Sequence, residues 1–83
     1  MTELPIGKAI RIVRLARGFS QNQLGRRCGF PRTYVCNIEN GIKKNPLISN
    51  VERFAEGLLL EPWKLIRLAQ KIRDEQTRSE VAA

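Results

Sequence analysis

Apolar residues recur at intervals of three and four along most of the chain, which is the spacing of one face of an α-helix. Five segments show this spacing, and they cover residues 6–17, 21–28, 31–40, 51–58 and 61–73. Gly18 and Gly29 follow the first two segments, where glycine suits the left-handed residue after a helix end. Pro62 opens the fifth, where proline suits the first helical turn. The pattern predicts an all-α protein of five helices.

The fifth segment carries more apolar residues than one contact with a core requires. In a monomer the surplus would form an exposed patch, whereas a two-fold dimer buries it against its own copy. The residues predicted to form this homodimer interface are Leu65, Ile66, Leu68, Ala69 and Ile72. Beyond Arg73 the residues are mostly polar, so we expect a folded domain over 1–73 and a polar flexible tail over 74–83.

The second and third segments are predicted to form two short helices joined by a tight turn. Ser20 and Gln23 have the spacing of a capping box, in which each side chain accepts a hydrogen bond from the other residue's amide. Gly29 suits the turn, and Asn40-Gly41 suits the end of the later helix. On a helical wheel, the apolar face of this helix lies opposite its polar residues, which are Arg32, Thr33, Cys36, Asn37 and Asn40. Such a helix fits the major groove of B-form DNA.

Several spaced positions in this region together match a known pattern. They are Gln21, Leu24, Gly25, Gly29, Val35 and Ile38, followed by Glu39-Asn40-Gly41. Their spacing resembles the helix-turn-helix of the Cro and lambda-repressor type, the XRE family, over about residues 6–65. The resemblance implies a five-helix lambda-repressor-like DNA-binding domain, with the third helix as the recognition helix. Pro31 and Leu59 depart from the pattern, since the family commonly has a capping side chain and a glycine at these positions.

The resemblance also implies which residues contact DNA. The residues expected to read bases are Arg32, Thr33, Cys36 and Asn37. Arg32 has the geometry to pair with guanine, and Asn37 with adenine. The residues expected to contact phosphates are Ser20, Gln21, Tyr34, Asn40, Lys43 and Lys44. For the two lysines and for the pair Arg26-Arg27, the alternative to a DNA contact is that these side chains are simply solvated. For Tyr34, the alternative to a phosphate contact is a half-buried ring.

Arg14 and Glu39 are assigned a structural role. In the resembling family an arginine at the first position usually pairs with the glutamate at the second. Loss of either partner from a buried ion pair would leave an uncompensated charge. We therefore expect these two residues to hold the first and third helices together.

The positive charge is concentrated in the part that carries the two short helices. The formal net charge is +7, and residues 1–45 hold nine basic and two acidic residues. Residues 46–83 hold six of each sign. This asymmetry indicates that the first half meets a polyanion and the second half does not.

Length and composition exclude several other classes of protein. A chain of 83 residues is one small domain, and no apolar run approaches the length of a membrane span, so we expect a cytoplasmic protein with no membrane contact. Cys28 and Cys36 are a lone pair without histidines, which favours reduced thiols over a zinc site, and no cofactor is expected. Without histidine, a phosphate loop or a pair of acid and base groups on one face, catalysis is not expected.

Two functions are compatible with the sequence. The first is a homodimeric transcriptional regulator that binds an inverted repeat in double-stranded DNA, as a phage-type repressor or a restriction-modification controller does. The second is an antitoxin or another protein-interaction module on the same fold, with a protein partner such as a toxin or RNA polymerase. The basic charge beside the recognition helix favours the first.

Overall fold

The computed structural model describes residues 4–82 of the chain, and the side chains of residues 4–78. These residues form five helices, namely α1 Ile6–Arg17, α2 Gln21–Cys28, α3 Arg32–Glu39, α4 Ile48–Gly57 and α5 Pro62–Ala82. Within 4–82 there is no β-strand, so the predicted all-α class is confirmed.

The turns between α1, α2 and α3 follow the predicted local chemistry. Gly18 and Gly29 adopt left-handed conformations with φ of 77° and 78°, which glycine enters without the steric cost of a side chain. At the start of α2, the Ser20 hydroxyl accepts from the amide of Gln23 at 3.0 Å, and the Gln23 side chain accepts from the amide of Ser20 at 2.8 Å. The predicted capping box is confirmed.

The exit from α4 places a leucine in a backbone conformation that glycine usually takes. Leu59 has a φ of 66° and is the only residue other than glycine with a positive φ within residues 4–82. Such a conformation costs an L-residue about 1–2 kcal/mol. Nη2 of Arg17 donates to the carbonyl of Leu59 at 3.3 Å. The turn thus takes the left-handed conformation that glycine usually adopts, with a leucine at that position.

All five helices contribute to one core. Its largest fully buried side chains are Phe54, Ile10, Leu24, Ile38, Leu58, Leu65 and Val35. Leu65 and Ala69 lie one turn apart on α5 and are both 0% exposed. Their assignment to a dimer interface is therefore wrong, because the chain's own core already covers them. Ile66, Leu68 and Ile72 are half-buried and pack against this core.

The helix α5 continues beyond the point where the sequence predicts a tail. It extends from Pro62 to Ala82 without interruption, so the part of the predicted flexible tail that the structure describes is helical. The segment 63–82 contains no glycine or proline, and most of its residues favour helix. The change to polar residues after Arg73 thus marks the end of packing and not of the helix. Ala83 lies outside the described residues.

In the described part of the chain, no helix combines the length and the apolar composition needed to cross a membrane.

Candidate nucleic-acid interface

The crossing of α2 and α3 depends on a glycine. The amide of Phe30 donates to the carbonyl of Gly25 at 2.8 Å. A Cβ atom added to Gly25 would stand 2.6 Å from the carbonyl oxygen of Phe30, which is closer than real carbon atoms approach. The absence of a side chain therefore lets the turn close directly over α2 and start α3 at a fixed angle.

A buried ion pair joins α1 to the end of α3. Arg14 is 8% exposed and Glu39 is 6% exposed. Nε and Nη2 of Arg14 donate to the two carboxylate oxygens of Glu39 at 2.7 and 2.9 Å, a bidentate geometry. Nη1 of Arg14 donates to the carbonyl of Phe19 at 2.9 Å. One guanidinium thus holds together α1, the segment before α2 and the recognition helix.

The N-terminus of α2 presents hydrogen-bond donors that the helix itself does not use. Gln21 is half-buried, and its Nε2 donates to Glu39 Oε1 at 3.2 Å, which orients this side chain against the ion pair. The amides of Gln21 and Asn22 have no carbonyl one turn earlier in the helix. Together with the exposed Ser20 hydroxyl, they present donors at the positive end of the helix dipole, where a phosphate is favoured.

The polar face of α3 is open to solvent. Arg32 and Thr33 are exposed at its N-terminal end, and Asn37 is half-buried one turn later. Cys36 is also half-buried, and Asn40 Nδ2 donates to its sulfur at 3.2 Å. The opposite face, with Val35, Ile38 and Glu39, is buried. The structure therefore places all the residues predicted to read bases on one exposed strip of α3.

Tyr34 lies between the exposed strip and the core. Its ring stands 4.7 Å from that of Phe30 and 6.0 Å from that of Phe54, measured between centroids. Its hydroxyl accepts from Asn50 Nδ2 at 3.1 Å. A phenol that accepts a hydrogen bond still has its own proton to donate. The half-buried ring and a hydrogen bond to a phosphate are thus compatible.

The segment after α3 folds back on the helix and carries two exposed lysines. The amides of Ile42 and Lys43 donate to the carbonyl of Asn37 at 3.0 and 3.2 Å. Lys43 and Lys44 are both exposed, and Lys43 Nζ lies 5.7 Å from the centroid of the Tyr34 ring. Lys43 therefore lies close to Tyr34 and to the backbone of Asn37, and Lys44 follows it on the exposed segment.

Three arginines that contribute to the positive charge bind backbone carbonyls of this chain. Arg17 Nε donates to Leu58 at 3.0 Å, and Arg27 Nε donates to Gly57 at 2.7 Å. Arg53 donates to the carbonyls that end α2. Of the pair Arg26-Arg27, only Arg27 is anchored in this way within the described residues. The sequence carries no local signal for these contacts, because the donor and acceptor are 24 to 42 residues apart.

Both cysteines are free thiols, as the sequence favours. Cys28 is buried where α2 crosses Gly57 of α4, and a Cβ on that glycine would overlap the sulfur. This burial raises the pKa of the Cys28 thiol to about 11. Cys28 is therefore a packing residue, while Cys36 is half-buried among the polar residues of α3.

Comparison with known proteins identifies the family. A helix-turn-helix family model matches residues 10–62. A Neisseria meningitidis hypothetical transcription factor is 37% identical over 57 residues, 69% of this chain and 53% of its own length. The chain thus spans about half of that relative. Control protein C.BamHI of Bacillus amyloliquefaciens is 33% identical over 64 residues, covering 76% of this chain and 78% of its own.

Solved structures give the same result. SinR, described as a master regulator for biofilm formation and crystallised with DNA, has a TM-score of 0.69 and 28% identity, over 74% of this chain and 97% of that one. These similarities agree with the five-helix fold and with the glycine-dependent crossing of α2 and α3. The chain therefore belongs to the XRE-type helix-turn-helix family of DNA-binding transcription regulators.

Proposed function

We propose that the protein is a homodimer that binds an inverted repeat in double-stranded DNA and regulates transcription there. The observation that carries this proposal is the exposed strip of α3, which lies near two other groups of hydrogen-bond donors. Gln21, at the N-terminus of α2, bonds to Glu39 at the end of α3, and the segment with the exposed Lys43 and Lys44 bonds through its backbone to Asn37. The buried pair Arg14–Glu39 keeps these parts in one arrangement.

The proposed base contacts follow from the exposed side chains of α3. Arg32 donates two parallel hydrogen bonds to O6 and N7 of guanine, and Asn37 pairs with adenine. Thr33 contacts a thymine methyl group, and Cys36 lies against the same groove wall. Within the described residues, Arg32 and Thr33 have no side-chain hydrogen bond inside the chain, so binding DNA breaks none.

The proposed phosphate contacts fix the register of the helix on DNA. Ser20 and Gln21 bind one phosphate together with the first amides of α2. Tyr34 donates its hydroxyl proton, and Asn40 its side-chain amide, to phosphates of the DNA backbone. Lys43 and Lys44 act as point charges there.

The proposed dimer forms through the exposed apolar residues near the start of α5. Leu59 is 60% exposed and Trp63 is 59% exposed. Ile66, one turn after Trp63, is half-buried. Leu68 and Ile72, which the sequence assigned to this interface, are half-buried and pack against the core. A two-fold axis here would bury large apolar side chains that the chain alone leaves in water.

The relatives support this proposal. SinR has been crystallised with DNA, and C.BamHI is a control protein. A controller-like or repressor-like role for this chain agrees with both.

Selection of duplexes from a random DNA pool, at about physiological salt, tests the proposal directly, because nonspecific phosphate binding is weak there. We expect enrichment of an inverted repeat whose half-site centres are about one helical turn, roughly 34 Å, apart. Sedimentation of the selected complex should give two chains per duplex. Absence of any enriched sequence, or one chain per duplex, would contradict the proposal.

A further inference from the structure

Arg53 belongs to α4, outside the helix-turn-helix, yet its guanidinium contacts the turn between α2 and α3. Its Nε donates to the carbonyl of Cys28 at 3.0 Å, and its Nη2 donates to the carbonyl of Gly29 at 2.8 Å. The guanidinium carbon also lies 4.1 Å from the centroid of the Phe30 ring. One side chain thus contacts three consecutive residues of the turn.

Gly29 leaves the space that this guanidinium occupies. A Cβ atom on Gly29 would lie 2.6 Å from Nη2 of Arg53. The glycine is therefore needed for its φ of 78° and also for the approach of Arg53.

Phe30 connects this contact to the recognition helix. Its ring centroid lies 4.7 Å from that of Tyr34 on α3 and 4.8 Å from that of Phe54 on α4. Asn50, one turn before Arg53 on α4, donates to the Tyr34 hydroxyl at 3.1 Å. One stretch of α4 thus holds the turn through Arg53 and the first turn of α3 through Asn50.

We infer that Arg53 is a positioning residue, which sets the angle at which α3 meets DNA and thereby the specificity of binding. This inference rests on the proposed function. Arg53 acts through the turn, since its Nε and Nη2 both donate to backbone carbonyls of the turn. Arg32 and Thr33 follow that turn directly, so a change in its geometry moves both of them. Lysine cannot replace Arg53, because a single ammonium does not present two parallel donors and a flat face to the ring.

The variants Arg53→Lys and Arg53→Met test this role, with Arg78→Lys on the exposed end of α5 as the matched control. Each is titrated with the selected inverted repeat and with a scrambled duplex over a series of salt concentrations. For both Arg53 variants we expect binding to the repeat to weaken about tenfold, as for one lost charged hydrogen bond. Binding to scrambled DNA should change by less than about twofold, and the salt dependence on either duplex should stay the same.

Other outcomes overturn the inference. Full affinity of Arg53→Lys for the repeat would show that charge alone suffices. Equal weakening on both duplexes, with a salt slope smaller by about one, would show a direct phosphate contact instead. Both results leave the proposed function intact, whereas a wild-type chain that prefers no sequence refutes that function itself.

A measurement on the free protein checks the anchor independently of DNA. We expect Arg53→Lys to shift the amide signals of Gly29 and Phe30 and the ring signals of Tyr34 in NMR spectra, while Arg78→Lys leaves them unchanged. Unshifted signals in Arg53→Lys would overturn the anchoring role, even for a chain that binds DNA as proposed.

Discussion

Two groups of arginines lie in different regions of this protein and differ in what they bind. On the exposed strip of α3, Arg32 projects into solvent. Where α2 meets α4, Arg27 and Arg53 donate to backbone carbonyls at 2.7 to 3.0 Å. The first region is available to an external polyanion, and the second stabilises helix ends whose carbonyls lack partners. Net charge therefore does not identify the residues that contact DNA, because the same side chain serves both purposes.

The largest effect is expected on removal of the partner of the most buried arginine. Glu39→Ala would leave Arg14 buried without its counter-charge. We expect the free energy of unfolding to fall by about 3–5 kcal/mol, measured by urea denaturation followed by circular dichroism. Glu52→Ala, on the exposed side of α4, is the control and should change stability by less than about 0.5 kcal/mol.

A double replacement separates ion pairing from packing at this position. Arg14→Met with Glu39→Leu should recover most of the lost stability, because apolar residues of similar volume avoid the desolvation of two charges. A small effect of Glu39→Ala by itself would show that Arg14 reaches water and that the pair is not structural.

The next largest effect belongs to the exposed arginine. Arg32→Ala should leave the unfolding midpoint unchanged and weaken binding to the selected repeat by about 1–3 kcal/mol, with relaxed preference at one base position. Binding titrations on the repeat and on its single-base variants measure both. Equal losses on specific and scrambled DNA would refute the base-reading role.

A smaller and more uniform effect is expected for Lys44→Ala. Its removal should weaken binding to all sequences alike and reduce the slope of log affinity against log salt by about 0.9. Lys71→Ala, an exposed lysine of α5, is the matched control and should leave the slope unchanged. An unchanged slope for Lys44→Ala would place this lysine away from the phosphates.

The smallest effect concerns the thiol at the junction of α2 and α4. Burial raises the pKa of Cys28 in the folded protein from 9.0 to about 11. The unfolded thiol ionises first, so its contribution to stability is complete below about pH 9 and is lost as the pH rises toward 11. The difference in unfolding free energy between wild type and Cys28→Ala should therefore shrink over this window. A constant difference would mean that folding does not raise the pKa of this thiol.

Local sequence signals were sufficient for the first three helices. Ser20 and Gln23 form the predicted capping box, and Gly18 and Gly29 take the predicted left-handed conformations. Each of these features depends on residues fewer than five positions apart. The helix starts and ends could therefore be derived from hydrogen-bonding and steric preferences alone.

The same signals misassigned parts of α5. Apolar residues on this helix were counted as a surplus, but Leu65 and Ala69 lie wholly in the core. The helical wheel shows which residues share a face, yet it does not show how wide a contact α1 makes with that face. Loss of apolar residues after Arg73 likewise marks where α5 stops packing against the core. The sequence could not distinguish this point from the end of the helix, although the helix itself continues.

The sequence by itself determined the first three helices, the glycine turn and the strip of polar residues on α3, because these depend on local propensity and periodicity. Tertiary structure decided which charges remain available. It closes the pair of Arg14 and Glu39 that the family resemblance implies, orients Gln21 against the same carboxylate and anchors Arg53 on the turn. These partners lie 18 to 25 residues apart in the chain, and only the packing of the helices brings their donors within reach of the acceptors.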